Sequence, residues 1–272
     1  MELQVRAIAA VLALAVLAPV AACSSGSAQE ARPAPSDTSV AVAGQDRAGR
    51  YAHYDVVAYQ STDMKTLIIS YGFTDLAVHD GTLTATESFC HSEHRSDQPI
   101  STEMSDAATS AITPIPAVVT VTERDGRVHL SRPATPTGIG IHLADPAHDP
   151  LPTDPNDPRI ADDDHDGKPG VTVHIKVTDD FTGDLYIARR EIFAYDVTGQ
   201  DDGSLTGTVS DHSEQLIVGA TDDIFKTKAE WIQYADPQKS PIILVPVDPS
   251  WDCGRLMVER DRLFPPTPRV DW

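Results

Sequence analysis

Val171-Thr172-Val173-His174-Ile175-Lys176-Val177-Thr178 alternates apolar and polar residues without a break. Side chains of an extended chain point to opposite faces in turn, so this period of two predicts a strand with one buried face. After a Thr182-Gly183 turn, Asp184 to Val197 supplies a second, longer run rich in β-branched and aromatic residues. Further short runs are His53 to Gln60, Lys65 to Gly72, Leu76 to Asp80, Thr82 to Ser88, Ala117 to Glu123, Arg127 to Ser131, Gly138 to Leu143, Ser204 to Ser210, Glu214 to Ala220 and Pro241 to Val247. Asp80-Gly81, Asp125-Gly126 and Asp202-Gly203 sit between runs, and Asp-Gly readily takes the positive φ angles of a tight hairpin. The expected fold class is all-β, an antiparallel barrel or sandwich of about ten to twelve strands. One or two short helices are expected, a turn near Ser105 to Ile112 and a last helix begun by Asp248-Pro249. Lys226 to Tyr234 reads equally as strand or short helix.

Immediately before the alternating strand stands Asp162-Asp163-Asp164-His165-Asp166-Gly167-Lys168-Pro169-Gly170. In a calcium loop the backbone curls around the ion, so positions 1, 3 and 5 point inward and a glycine at 6 makes the turn. Asp162, Asp164, Asp166 and Gly167 fill these positions, and the Lys168 carbonyl serves at 7. Position 12, where a calcium hand of the helix-loop-helix type places a bidentate glutamate, is Val173. That residue belongs to the strand, so the missing ligand lies elsewhere, in Asp157, Asp179, Asp180 or a water. The expected cofactor is a structural calcium; the bland alternative is an exposed acidic turn. Upstream, Asp145 to Asp163 repeats Asp-Pro, which removes amide donors and excludes a regular ladder or helix. So long a loop in a compact domain is functional or disordered.

The same block, Asp-x-Asp-x-Asp-Gly-x-Pro-Gly-x-Thr running into an alternating strand, resembles a family of bacterial secreted lipoproteins of unknown function. In these a Tyr-x-x-x-Arg strand follows, here Tyr186 to Arg190, and then a late cysteine, here Cys253. The resemblance spans roughly residues 160 to 260. It implies a β-rich exported domain with an acidic cation loop, and it implies no reaction.

The N-terminus fits an exported chain. Ala7 to Ala22 is an apolar core too short for a transmembrane helix of about 20 residues, and Val20-Ala21-Ala22-Cys23 has the form of a lipobox. Residues 1–22 are thus expected to be a signal peptide, Cys23 the acylated anchor, 23–50 a disordered tether rich in Ala, Ser and Pro, and 51–272 the exported domain. An ordinary signal peptide cut nearby is the alternative. The expected location is the cell envelope, with the domain held to the plasma or outer membrane by its lipid.

A formal charge of −20 disfavours nucleic acid and anionic lipid surfaces as partners. With Cys23 assigned to lipid, Cys90 and Cys253 remain and are expected to pair in an oxidising compartment; a free reactive thiol is the alternative. Cys90-His91-Ser92-Glu93-His94 and His142 to His148 each place nitrogen and oxygen ligands close together, but solvated loop histidines are the expected reading. Tyr186, Arg189 and Arg190 lie on one strand and could hold an anion, though such side chains are usually solvated. No nucleophile elbow, phosphate loop or dinucleotide fingerprint occurs. The expected function is a lipid-anchored envelope module, binding or structural, with a calcium-stabilised loop. The alternative is an envelope hydrolase that uses the acidic loop or a histidine cluster to hold a catalytic metal.

Overall fold

The computed structural model describes residues 46–226 and 230–272. Cys23, the signal peptide and nearly all of the tether lie outside the described residues. Thirteen antiparallel strands form one curled sheet. In chain order these are β1 (Gly49–Gln60), β2 (Lys65–His79), β3 (Thr82–Ser96), β4 (Ser101–Met104), β5 (Ala117–Val118), β6 (Thr120–Arg124), β7 (Arg127–Ile139), β8 (Val171–Thr178), β9 (Phe181–Gly199), β10 (Leu205–Asp211), β11 (Glu214–Ala220), β12 (Ile232–Gln233) and β13 (Pro241–Val247). Two short helices join them, α1 (Asp106–Ser110) and α2 (Cys253–Leu263). No expected run covers β4, which is only four residues long, and the expected run Ala117 to Glu123 is divided into β5 and β6. Among the described residues no helix is long and apolar enough to cross a membrane.

Asp80-Gly81 and Asp125-Gly126 both have positive φ at the two turn positions, as the hairpin reading requires. The expected run Gly138 to Leu143 is no strand of its own, since β7 runs from Arg127 through to Ile139, and β3 continues past Ser88 to Ser96; three further differences have a local cause. The two runs after Lys65 are a single strand, because a bulge between Tyr71 and Gly72 lets the chain bend without breaking the ladder. Gly72 is needed there: a Cβ would lie 2.1 Å from the Ser88 carbonyl oxygen. The β8–β9 turn falls at Asp179-Asp180, and Gly183 lies within β9, where a Cβ would meet the Phe225 ring at 2.2 Å. Helix α2 starts at Cys253, with Asp252 accepting from Arg255 N at 2.8 Å, while Asp248 caps only a turn through Ser250.

Strand β1 is buried on both faces. Tyr51, Val57 and Tyr59 pack inward with Leu130, Phe193 and Tyr195. Ala52, Tyr54, Val56 and Ala58 pack outward beneath Leu256 of α2 and Phe264. Cys90 is the extra residue of the bulge, since Tyr71 pairs with His91 and Gly72 with Phe89. It forms a disulfide with Cys253 across 163 residues, which ties α2 to the outer face.

The long strand β9 arranges the candidate site. Ile187 pairs with Val171 and with Ile217, whereas Arg189 pairs with Ile139 and with Gln215. Strands β8 and β7 therefore lie end to end on one edge of β9, and β11 and β10 share the other. Residues 140–170 leave that edge after Ile139 and return to it at Val171. Gly140 and Gly170 pinch the neck, both at positive φ; a Cβ on Gly140 would lie 2.8 Å from the Gly170 Cα. The loop is fastened internally by the Ile141–Ile160 bridge and by His142 N donating to Arg159 O at 2.8 Å. Arg190, on the outward face of β9, pairs with Glu214 and donates to the carbonyls of Pro146 and Asp149. Closing 163 residues of chain should stabilise the fold by roughly 4–5 kcal/mol in a chain-entropy account. Cys253→Ser is expected to lower the Tm by more than ten degrees, and a melting curve in reductant should show the same loss; an unchanged Tm would exclude a stabilising bridge.

Candidate metal centre

Asp162, Asp164 and Asp166 each offer a carboxylate oxygen, all within 4.8 Å of one another. Alternation in a curled backbone brings them together, and His165 at φ 59 and Gly167 at φ 82 make the curl. Asp163, the intervening residue, faces the other way: its Oδ2 accepts from Gly140 N at 2.7 Å and its Oδ1 meets His142 Nε2 at 2.9 Å. That pair locks the acidic turn to the neck of the loop.

The loop wraps its own carboxylates. Asp162 accepts from Asp166 N at 3.1 Å and Gly167 N at 3.0 Å. Asp166 accepts from Lys168 N at 2.8 Å and the Thr172 hydroxyl at 2.5 Å. Asp164 Oδ2 accepts from Thr172 N at 2.9 Å, so the first residues of β8 hold two of the three acids. Asp164 Oδ1 is buried and has no hydrogen-bond partner. Burial pushes the Asp164 carboxyl above the ordinary aspartate range, opposed by the Thr172 amide and reinforced by repulsion from Asp166 and Asp162. A desolvated anionic oxygen without a donor is costly, and a hard cation is the group that removes the cost. The donor set, carboxylates with no sulfur or imidazole, fits calcium or magnesium.

Val173 lies in β8 opposite Met104 and Leu185, so the twelfth position of a helix-loop-helix calcium site has no counterpart. Two of the residues considered for a missing ligand have other partners: Asp157 pairs with Arg159, and Asp179 with Lys176. Asp180 sits in the β8–β9 turn. Lys168 turns its ammonium toward the Tyr186 ring, 5.9 Å from the centroid. A recess of about 420 Å³ adjoins the carboxylates, lined by Asp164, His165 and His142 together with Ala107 of α1 and Ala111 just past its end.

The histidine clusters of the sequence are divided. His91 and His94 lie in strand β3, not a loop, and have separate partners. His91 pairs with Asp106 at 2.7 Å, and His94 Nδ1 meets Thr102 Oγ1 at 2.6 Å. His94 is not solvated: burial, with Arg189 and Arg95 nearby, pushes its pKa down to about 4, and its Nε2 is buried without a partner. His148 stays with Asp145, leaving His142 alone of its cluster beside the acidic loop. Arg189 and Arg190 point to opposite faces of β9 and cannot share an anion; Tyr186 is buried. The face each of these side chains takes could not be assigned from sequence, because the inserted Cys90 shifts the alternation in β3 and the partners of β9 come from four other strands.

No protein-family description, no curated protein and no solved structure matches this chain.

Proposed function

We propose that the chain is a lipid-anchored module of the cell envelope, binding or structural, in which calcium held by Asp162, Asp164 and Asp166 stabilises the acidic loop. The carrying observation is the convergence of three carboxylates around the buried, unpartnered Oδ1 of Asp164. The Lys168 carbonyl and water complete the oxygen shell in this reading. Calcium would offset the mutual repulsion of the acids and set the wall of the recess that Asp164 shares. The resemblance to secreted lipoproteins and the charge of −20 support export and argue against a nucleic-acid partner. The hydrolase reading ranks second, because no histidine joins the carboxylate group and His142 is already engaged by Asp163.

Calcium at a hundred times its Kd should stabilise the fold by about 2.7 kcal/mol, a Tm rise of roughly 5–10 degrees for a domain of this size. Asp164→Asn should abolish the rise and the heat of binding, while Asp163→Asn, which alters the outward-facing carboxylate, should keep both. Parent protein with neither heat nor shift would end the calcium reading. For the anchor, Cys23→Ala is expected to move the protein from the membrane to the soluble fraction, and unchanged fractionation would refute lipidation.

A further inference from the structure

A second concentration of charge lies on the inner face of the sheet, apart from the acidic loop. Arg189 and Glu191 project from β9, Asp211 from the end of β10, Tyr59 from the end of β1 and His94 from β3. Arg189 Nε donates to Glu191 Oε2 at 2.5 Å, and Arg189 NH2 donates to the Tyr59 hydroxyl at 3.2 Å and lies 3.8 Å from Asp211 Oδ1. Asp211 accepts from the Tyr59 hydroxyl, from Ser213 N at 2.9 Å and from Ser213 Oγ at 2.8 Å, which leaves room for one further donor. Its side chain has no solvent exposure, whereas Glu191 keeps 21% and Arg189 13%, so protons reach the cluster from the Glu191 side.

The charges do not balance. One guanidinium faces two carboxylates, and a third, Asp55 on β1, acts on Asp211 from behind with His53 as its own partner at 2.9 Å. His94 is the remaining group that could add positive charge, and it is held neutral. Asp211 accepts from three neutral donors, whereas Glu191 accepts from Arg189 alone, so Glu191 is the acid free to hold a proton, donated toward Asp211.

We propose that Glu191 and Asp211 form a one-proton site around Arg189, a pH-sensitive device that tightens the β9–β10 end of the sheet when loaded and loosens it when the proton leaves. Burial, reinforced by Asp211 and opposed by Arg189, pushes the Glu191 carboxyl up to about 7. In the unfolded chain a glutamate titrates near 4.3. Between these values the folded state binds the extra proton, so this group's stability is full in acid and falls as pH rises toward 7. His94 has the opposite sign: the unfolded histidine takes up a proton near 6.5 and the folded one only near 4, so acid removes stability over that window. The two slopes oppose each other below 6.5, and Glu191 acts alone above it.

The test is a carboxyl-carbon NMR titration of the intact chain. Glu191 is expected to titrate near pH 7, and in Asp211→Asn its midpoint should move toward acid by about one unit or more. Melting curves supply a second measure: the parent Tm should drop by roughly 2–3 degrees from pH 6.5 to 8, and Glu191→Gln should be flat over that range. A Glu191 midpoint at the ordinary glutamate value, a midpoint unmoved by Asp211→Asn, or equal slopes in parent and Glu191→Gln would overturn the proposal.

Discussion

Strand β9 must satisfy partners along both edges for most of its length, and the rest of the sheet depends on this shared register. Leu185 to Ile187, Arg189, Arg190, Phe193 and Tyr195 to Thr198 each have one neighbour on each side, drawn from β8 or β7 on one edge and from β11 or β10 on the other. A slip of one residue would turn Phe193, Tyr195 and Val197 away from the core and bring Arg190 into it. Register in β9 also fixes where β7 ends and β8 begins. The acidic loop is thus an excursion from a single edge, with its ends held a glycine apart, and the carboxylates inherit their position from strand pairing rather than from the loop sequence alone.

Burial on both faces of β1 imposes a second requirement, a cover for the outer layer. Helix α2 is short and carries one fully buried residue, Leu256, so its own packing gives it little hold. The disulfide compensates, and it can do so because the bulge at Tyr71–Gly72 takes Cys90 out of the ladder and aims it at Cys253. A glycine without which two backbones would collide, a bulge and a covalent bridge are thus parts of one arrangement.

Local chemistry was legible in the sequence, and face assignment was not. Alternation identified β8, Asp-Gly pairs located two hairpins with the expected positive φ angles, and the spacing of Asp162, Asp164 and Asp166 anticipated their convergence. Cys90 and Cys253 could be paired by elimination. By contrast, nothing local distinguishes Arg189, enclosed with Tyr59 and Asp211, from Arg190, which clamps the loop carbonyls. The same holds for His91 and His94: three residues apart, they take opposite faces, and which face each takes is set by the bulge at Cys90, which depends on what lies opposite in β2. Glu87, Arg132 and Asp55 are charged residues that the fold buries, each with a partner supplied from another strand or by His53.

The two acidic groups of this protein meet the same electrostatic problem with different counter-charges, and geometry explains the difference. In the loop the three carboxylates are short, converge on one point, and have only backbone amides and a hydroxyl around them. Neutral donors orient those carboxylates without cancelling their charge, which favours a multivalent cation with oxygen ligands. Inside the sheet the Arg189 guanidinium already pairs with Glu191 and lies beside Asp211, so a second cation would meet Arg189's charge as it approached the acids. The remaining imbalance there is a single charge in an enclosed site, and a proton is the one counter-charge small enough to sit between two carboxyl groups. The metal proposed for the loop and the proton proposed for the interior thus answer the same excess of negative charge in two different geometries.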